Sequence, residues 1–191
     1  MPYVIGIPVQ GQPASSSLFG KAVRDAINDL DLRMAALEAY TTGKPIVRLI
    51  QIAAQSIADN THTSLTFGTG ATVVDTHNFH SESVNNTRIT PTVAGWYSVS
   101  GGYATSGRTD FQSLQASIRV NGSNLAPDHK QGPNAINTTR SVTVGPLLMY
   151  FNGSTDYAEI AGYQDNAANA AANTSVSGST SSVLQMVFER S

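Results

Sequence analysis

From residue 46 onward, apolar and polar side chains alternate along much of the chain, which is the period of a strand with one buried face. The alternation is clearest within residues 88–104. Three residues of this run share one phase: Tyr97, Val99 and Tyr103. The glycines at 101–102 are typical of a bulge, a bend or the close approach of another backbone. The pattern predicts a central strand of an antiparallel β domain.

Further strands are predicted on both sides of this run. They cover residues 46–57, 64–67, 114–120, 141–151, 157–163 and 183–188. The dipeptide Asn121-Gly122 predicts a hairpin turn, and the apolar terminal strand is expected inside the sheet. Residues 75–88 are polar and indicate a loop. The small, polar residues at 164–182 predict a mobile loop that adds nothing to the core, or alternatively a variable tip that contacts another surface.

The strand at 141–151 becomes continuously apolar over residues 147–151. A strand that is apolar on both faces has to be covered on both. We expect the domain's second sheet to cover one face. Leu148 and Tyr150 are predicted to contact a neighbouring subunit on the other.

Residues 18–43 show a helical period instead. Five apolar residues are spaced as a heptad seam: Val23, Ile27, Leu30, Met34 and Leu37. Arg33 and Glu38 fall at flanking positions where they could pair between chains. A short isolated helix is marginal in water, so we predict a stalk through which subunits associate. The alternative is that the helix packs on its own β domain.

Residues 1–17 contain three prolines and two glycines, which exclude a helix. Five apolar residues lie among them: Tyr3, Val4, Ile5, Ile7 and Val9. These side chains are unsuited to a solvated linker. We predict an extended arm that anchors the protein to a partner, and the alternative is a frayed terminus.

Charged residues make up 13% of the chain and the net charge is -2. Without a basic excess, nucleic acid is not an expected partner. Cysteine is absent, so disulfides and thiolate metal sites are excluded. The N-terminus lacks the features of a signal peptide and no run is long enough to cross a bilayer, so we expect no membrane insertion.

Candidate chemistry is sparse. The residues best suited to a metal are Asp75, His77 and His80. In an extended segment the two histidines would point to opposite sides. An ion held within one chain, an ion shared by three subunits and ordinary polar loop residues therefore remain alternatives. No nucleophile elbow or triad context appears, and we predict no enzyme activity, no metal site and no cofactor.

Two motifs resemble a known family. The Ala94-Gly95-Trp96-Tyr97 start of the central strand, followed by a strand with an Asn-Gly turn, resembles the jelly-roll head of the complement one-q and tumour necrosis factor superfamily. Residues 85–95 resemble the versions of this head on bacteriophage virions. The resemblance implies an all-β, two-sheet antiparallel jelly roll at residues 46–191 and a homotrimer. The heptad seam of residues 18–43 by itself favours a two-stranded coiled coil.

We therefore expect a non-enzymatic virion protein with an arm at 1–17, a stalk at 18–43 and a head at 46–191. The arm would bind capsid or tail proteins of the same particle, and the exposed loops at 105–112, 126–137 and 164–182 could bind a host-surface glycan. A capsid decoration protein or head fibre at the virion surface is the favoured role. A minor tail fibre or tail-tip receptor-binding protein comes next, followed by a soluble lectin-like head and a depolymerase.

Overall fold

The computed structural model describes residues 16–41, 43–124, 129–131, 139–177 and 180–191. The chain divides into two units, Met1–Gly43 and Lys44–Ser191. The first unit contains one helix among its described residues, α1 (Ser16–Thr41). The described residues of the second form twelve strands: β1 (Ile46–Ile50), β2 (Ser56–Ile57), β3 (Thr63–Ser64), β4 (Thr72–Asp75), β5 (Gly95–Ser106), β6 (Phe111–Val120), β7 (Ser123–Asn124), β8 (His129–Gln131), β9 (Thr139–Phe151), β10 (Ala158–Asn166), β11 (Ala172–Thr174) and β12 (Val183–Arg190).

The strands form two sheets in which neighbouring strands are antiparallel. The hydrogen-bonded path through the seven-stranded sheet is β2-β11-β5-β12-β1-β4. Strands β11 and β12 pair with different parts of one edge of β5, and β9 pairs with the opposite edge. The five-stranded sheet has the order β3-β10-β6-β7, and β8 also pairs with β6. Two antiparallel sheets around one core confirm the predicted jelly-roll architecture. The terminal strand β12 lies beside β1 inside the sheet, as predicted.

Tyr97 on β5 is the centre of an aromatic cluster in the core. The rings of Phe79, Phe151 and Phe188 contact it edge-on at centroid distances of 6.2, 5.7 and 5.2 Å, which is a favourable geometry for aromatic pairs. Its hydroxyl donates to the carbonyl oxygen of Val93 at 2.7 Å. The three residues predicted to share a buried phase are all fully buried: Tyr97, Val99 and Tyr103.

At Gly101, β5 closely approaches the five-stranded sheet. The register between β5 and β9 shifts between Val99 and Gly101, which is a bulge. A Cβ atom at Gly101 would lie 2.5 Å from Cδ1 of Ile160 on the five-stranded sheet and 2.9 Å from the carbonyl oxygen of Val183. The bulge and the close approach that the sequence suggested both occur here. Glycine is required at this position because a larger side chain would not fit.

The hairpin predicted at Asn121-Gly122 is confirmed. Both residues have positive φ angles, 52° and 80°, as a two-residue turn with φ > 0 at both central positions requires. The turn joins β6 to β7.

The predicted strand at 46–57 is wrong in its second part, because β1 ends at Ile50 and β2 pairs with β11. The chain bends around the buried Gln51, whose side-chain amide donates to Gln55 at 3.2 Å.

The prediction that residues 164–182 add nothing to the core is also wrong. Gln164 is fully buried and Asn166 is 1% exposed, both at the end of β10. The Gln164 amide donates to the carbonyl oxygens of Ile57 and Ala170 at 3.3 and 3.0 Å, and the Asn166 amide donates to Asp59 at 3.0 Å. Polar side chains are tolerated in a core when their hydrogen bonds are satisfied, and this polar segment supplies the end of β10 and all of β11.

The helix α1 displays the predicted apolar seam. The four seam residues whose side chains are described are exposed: Val23 by 42%, Ile27 by 54%, Leu30 by 59% and Met34 by 53%. The side chain of Leu37 lies outside the described residues. Away from the seam, Lys21 pairs with Asp25 at 2.9 Å and Arg33 lies 4.0 Å from Asp29, both at i,i+4 spacing. Across the described ranges, no helix combines the length and the apolar character that crossing a membrane requires.

We predict that Gly101→Ala lowers the free energy of unfolding by about 1–3 kcal/mol, because the added methyl group overpacks the core. The adjacent Gly102→Ala is the matched control. Its Cβ would come no closer than 3.5 Å to Thr143 and Val183, which is ordinary contact. Urea unfolding of both variants measures the difference, and equal stability of the two would contradict the close packing at Gly101.

Candidate functional site

Asp75 organises the loop that follows β4. Its Oδ1 accepts the backbone N–H groups of His77 at 3.2 Å and Phe79 at 3.0 Å, and its Oδ2 accepts that of His80 at 2.8 Å. A carboxylate that accepts several backbone N–H groups fixes the local chain. The predicted loop at 75–88 is therefore an ordered turn, and Asp75 is its anchor.

The two candidate histidines also contact the loop. Nδ1 of His80 lies 2.8 Å from the carbonyl oxygen of Arg88, and Nε2 lies 2.9 Å from that of Phe67. Because carbonyl oxygens only accept, both contacts are hydrogen bonds only when the ring carries two protons. Nδ1 of His77 lies 2.8 Å from the Thr76 hydroxyl. In the described part of the chain, no three His, Cys, Asp or Glu residues form a group that could hold a metal ion.

Glu82 ties the far side of this loop to the start of β4. Its carboxylate accepts the backbone N–H of Gly70 at 2.8 Å and that of Thr72 at 3.1 Å. These two hydrogen bonds, the Gly70 bond first, lower the pKa of Glu82, because they stabilise the ionised carboxylate.

Glu159 on β10 holds the end of the same loop. Its side chain is 7% exposed and lies 3.4 Å from Nε of Arg88. The hydroxyl of Thr87 donates to it at 2.5 Å and that of Ser64 at 3.2 Å. The Arg88 guanidinium lies over the Tyr157 ring at 3.9 Å from its centroid. The charge of Arg88 is therefore paired with a buried carboxylate and stacked on an aromatic face.

Together these contacts build a concavity of about 320 Å³ on the surface of the head. Its nine lining residues are Asn78, Phe79, His80, Ser81, Val84, Asn85, Arg88, Thr90 and Thr92. We call it the loop concavity. Sequence reasoning placed the candidate binding loops elsewhere and missed it. The available signal was the density of Asn, Ser and Thr in residues 78–92.

A second feature lies on the outer face of the seven-stranded sheet. Leu148 and Tyr150 on β9 are 55% and 54% exposed, and the Tyr150 ring contacts Trp96 of β5 at a centroid distance of 5.8 Å. Directly paired positions share a face, and the strand registers place four of them in one row: Leu148, Ser98, Val187 and Ile46. We call this row, with Trp96 and Tyr150, the outer patch.

The other predicted binding positions are dispersed. The anchoring residues Tyr3, Val4, Ile5, Ile7 and Val9 lie outside the described residues. In the loop at 105–112, both side-chain oxygens of Asp110 accept hydrogen bonds from Arg108 at 2.9 and 2.7 Å. Within the loop at 126–137, residues 129–131 are described, as β8.

No protein-family model matches the sequence, and no curated protein sequence is significantly similar to it. Among solved structures, murine APRIL at pH 5.0 is similar over 76% of this chain and 99% of that chain, with a TM-score of 0.53 and 11% identity. Murine APRIL at pH 8.0 has the same coverage and TM-score at 13% identity. The vertex protein P5 of PRD1 covers 77% of this chain and 97% of its own at 16% identity, with a TM-score of 0.49. The likeness to APRIL confirms the predicted tumour necrosis factor-like jelly roll, and at such identities it shows the fold alone.

We predict that Glu82→Gln makes the head less stable than the native protein at pH 7. The pKa of Glu82 is lowered by folding, so its contribution is present above the unfolded-state pKa and is lost as pH falls through the folded-state value. The two proteins should therefore become equally stable once the pH has fallen below the folded-state pKa of Glu82. Glu189→Gln is the control, since Glu189 is exposed and has no side-chain hydrogen bond with the described residues. A stability difference that persists at low pH would contradict this role of Glu82.

Proposed function

We propose that this protein is a non-enzymatic structural protein of a bacteriophage particle, which forms homotrimers and displays a jelly-roll head at the virion surface. A capsid decoration protein or head fibre is the role that we favour. A minor tail fibre or tail-tip receptor-binding protein is the second candidate, and a soluble lectin-like head is the third.

The outer patch is the main observation that supports the proposed trimer. Its Leu148 and Tyr150 side chains leave about half of their surface in contact with water, on a strand whose opposite face already packs on the core through Val142, Val144 and Phe151. Burying an exposed aliphatic or aromatic side chain is worth about 1.5–3 kcal/mol. The patch is therefore best covered by a second copy of the same head, and the family resemblance supports three copies.

The helix α1 supports the same conclusion independently. Its seam exposes Val23, Ile27, Leu30 and Met34 along one stripe, which matches the heptad spacing of a coiled coil. A parallel bundle would bury this stripe between chains. Ion pairs within each helix, such as Lys21–Asp25, would remain on its outside.

The location on a phage particle rests on the sequence. Residues 85–95 resemble phage versions of this head, and the apolar, proline-containing segment at 1–17 is suited to docking against a larger assembly. We propose that this arm binds capsid or tail proteins of the same particle. The head would then face outward and could bind host-surface glycan, with three copies supplying avidity.

We predict that Leu30→Asp and Leu148→Asp each weaken self-association of the full chain at least about tenfold, because each puts a charge into an apolar contact. The double variant should be a monomer in sedimentation equilibrium. Asn28→Asp adds the same charge to an exposed position outside the seam. Ile52→Asp adds it to a residue that is 51% exposed and lies outside the outer patch. These two controls should remain trimers. A double variant with the mass of the native oligomer would contradict the proposed interfaces.

We predict that deletion of residues 1–17 abolishes incorporation into phage particles and leaves the head folded. Immunogold electron microscopy of particles assembled with the full chain should label the capsid surface, and particles assembled with the shortened chain should be unlabelled. Circular dichroism of the shortened chain checks that the head is intact. Labelling of both kinds of particle would contradict the anchoring role, and labelling confined to the tail would favour the second candidate function.

A further inference from the structure

The loop concavity contains polar side chains that have no partner within the head. The side chains of Asn78, Asn85, Thr90 and Thr92 make no hydrogen bond with any described residue. Asn78, Asn85 and Thr92 are exposed and Thr90 is half-buried. Two amides and two hydroxyls therefore surround one depression with their hydrogen-bonding capacity unused.

The backbone that carries these groups is fixed before any ligand binds. Asn78 and Asn85 have positive φ angles of 55° and 52°, a conformation that asparagine adopts more readily than most residues. The loop between them is held by the contacts of Asp75, His80 and Glu82 described above. A rigid backbone lowers the entropy lost on binding, so the positions from which these side chains project are preorganised.

The concavity also has an apolar surface. Val84 is 65% exposed and Phe79 lies beneath at 3% exposure. Amide and hydroxyl groups both donate and accept hydrogen bonds, as do the hydroxyls of a sugar, while the C–H face of a pyranose ring packs on apolar side chains. The guanidinium of Arg88 is already paired with Glu159, so the site does not require an anionic ligand.

We propose that the loop concavity binds an uncharged saccharide through Asn78, Asn85, Thr90 and Thr92, with its ring or an acetamido methyl group against Val84. None of the nine lining residues has a carboxylate, so the site does not resemble a calcium-dependent one. The volume of about 320 Å³ lies at the small end of ligand pockets, which fits one or two sugar units. This inference rests on the glycan-adhesion role proposed above and assigns that role to the loop concavity.

The test is a titration of the full-length native protein, followed by backbone amide chemical shifts. The probes are N,N′-diacetylchitobiose and maltose, and N-acetylalanine methylamide is a control that has amides but no pyranose ring. With few contacts, the dissociation constant should be on the order of millimolar, so each probe is added to about ten times that concentration. We expect at least one disaccharide to shift amides within residues 78–92 and the control to shift none.

Glycine substitutions provide matched variants. Asn78→Gly with Asn85→Gly removes both amides and keeps the positive φ angles, and binding should weaken at least about tenfold. Asn169→Gly makes the same change at a residue with φ 51° outside the concavity, and binding should be unchanged. The amide spectra also show whether each variant is folded.

The proposal is overturned if neither disaccharide shifts these amides, if the shifts lie elsewhere, if the double glycine variant binds as tightly as the native protein, or if the control amide binds equally well. Because oligomeric mass and particle labelling are measured separately, failure of saccharide binding is distinguishable from failure of the trimeric virion role.

Discussion

The seven-stranded sheet has apolar side chains on both of its faces: one face packs on the core, and on the other Leu148 and Tyr150 are exposed among the described residues. Tyr97, Val99 and Phe151 point into the core, while Leu148 and Tyr150 point outward beside Trp96. Exposed apolar clusters of this kind mark interaction surfaces in soluble proteins. The two sheets enclose a core within one chain, whereas the outer patch leaves apolar side chains exposed to water. This exposure is the basis of the proposed trimer.

The head and the helix α1 both expose apolar side chains, in different arrangements. The head presents a flat row across β9, β5, β12 and β1, and the helix presents a narrow stripe at heptad spacing. Neither surface depends on charge, in keeping with the sparse charged residues of the chain. Two independent interfaces of the same stoichiometry would reinforce each other through effective concentration.

Much of the fold could be predicted because its signals are local. The period-two phase of Tyr97, Val99 and Tyr103, the turn at Asn121-Gly122 and the apolar terminal strand each depend on a few adjacent residues. The errors arose where distant residues decide the outcome. Gln164 and Asn166 have a loop-like composition and become buried because Ile57, Asp59 and Ala170 satisfy their amides. The loop concavity was missed for the same reason, since Glu82 and His80 position it through contacts with Gly70, Thr72, Phe67 and Arg88.

The histidine and aspartate cluster shows a second limit of pattern reasoning. Asp75, His77 and His80 have the residue types of a metal site, and their spacing alone leaves several alternatives open. In the folded chain the Asp75 carboxylate binds backbone N–H groups and both His80 nitrogens face carbonyl oxygens. These contacts give the side chains of Asp75 and His80 a structural function in the loop.

Trp96 is the single tryptophan of the chain and lies in the outer patch, so its fluorescence reports directly on whether that surface is covered. Iodide quenching should be weak in the native protein at micromolar concentration and should increase strongly in the Leu148→Asp variant, because the native interface shields the indole ring. Equally efficient quenching in the two proteins would show that the outer patch faces water in the native state, and would contradict the central claim that subunits associate through it.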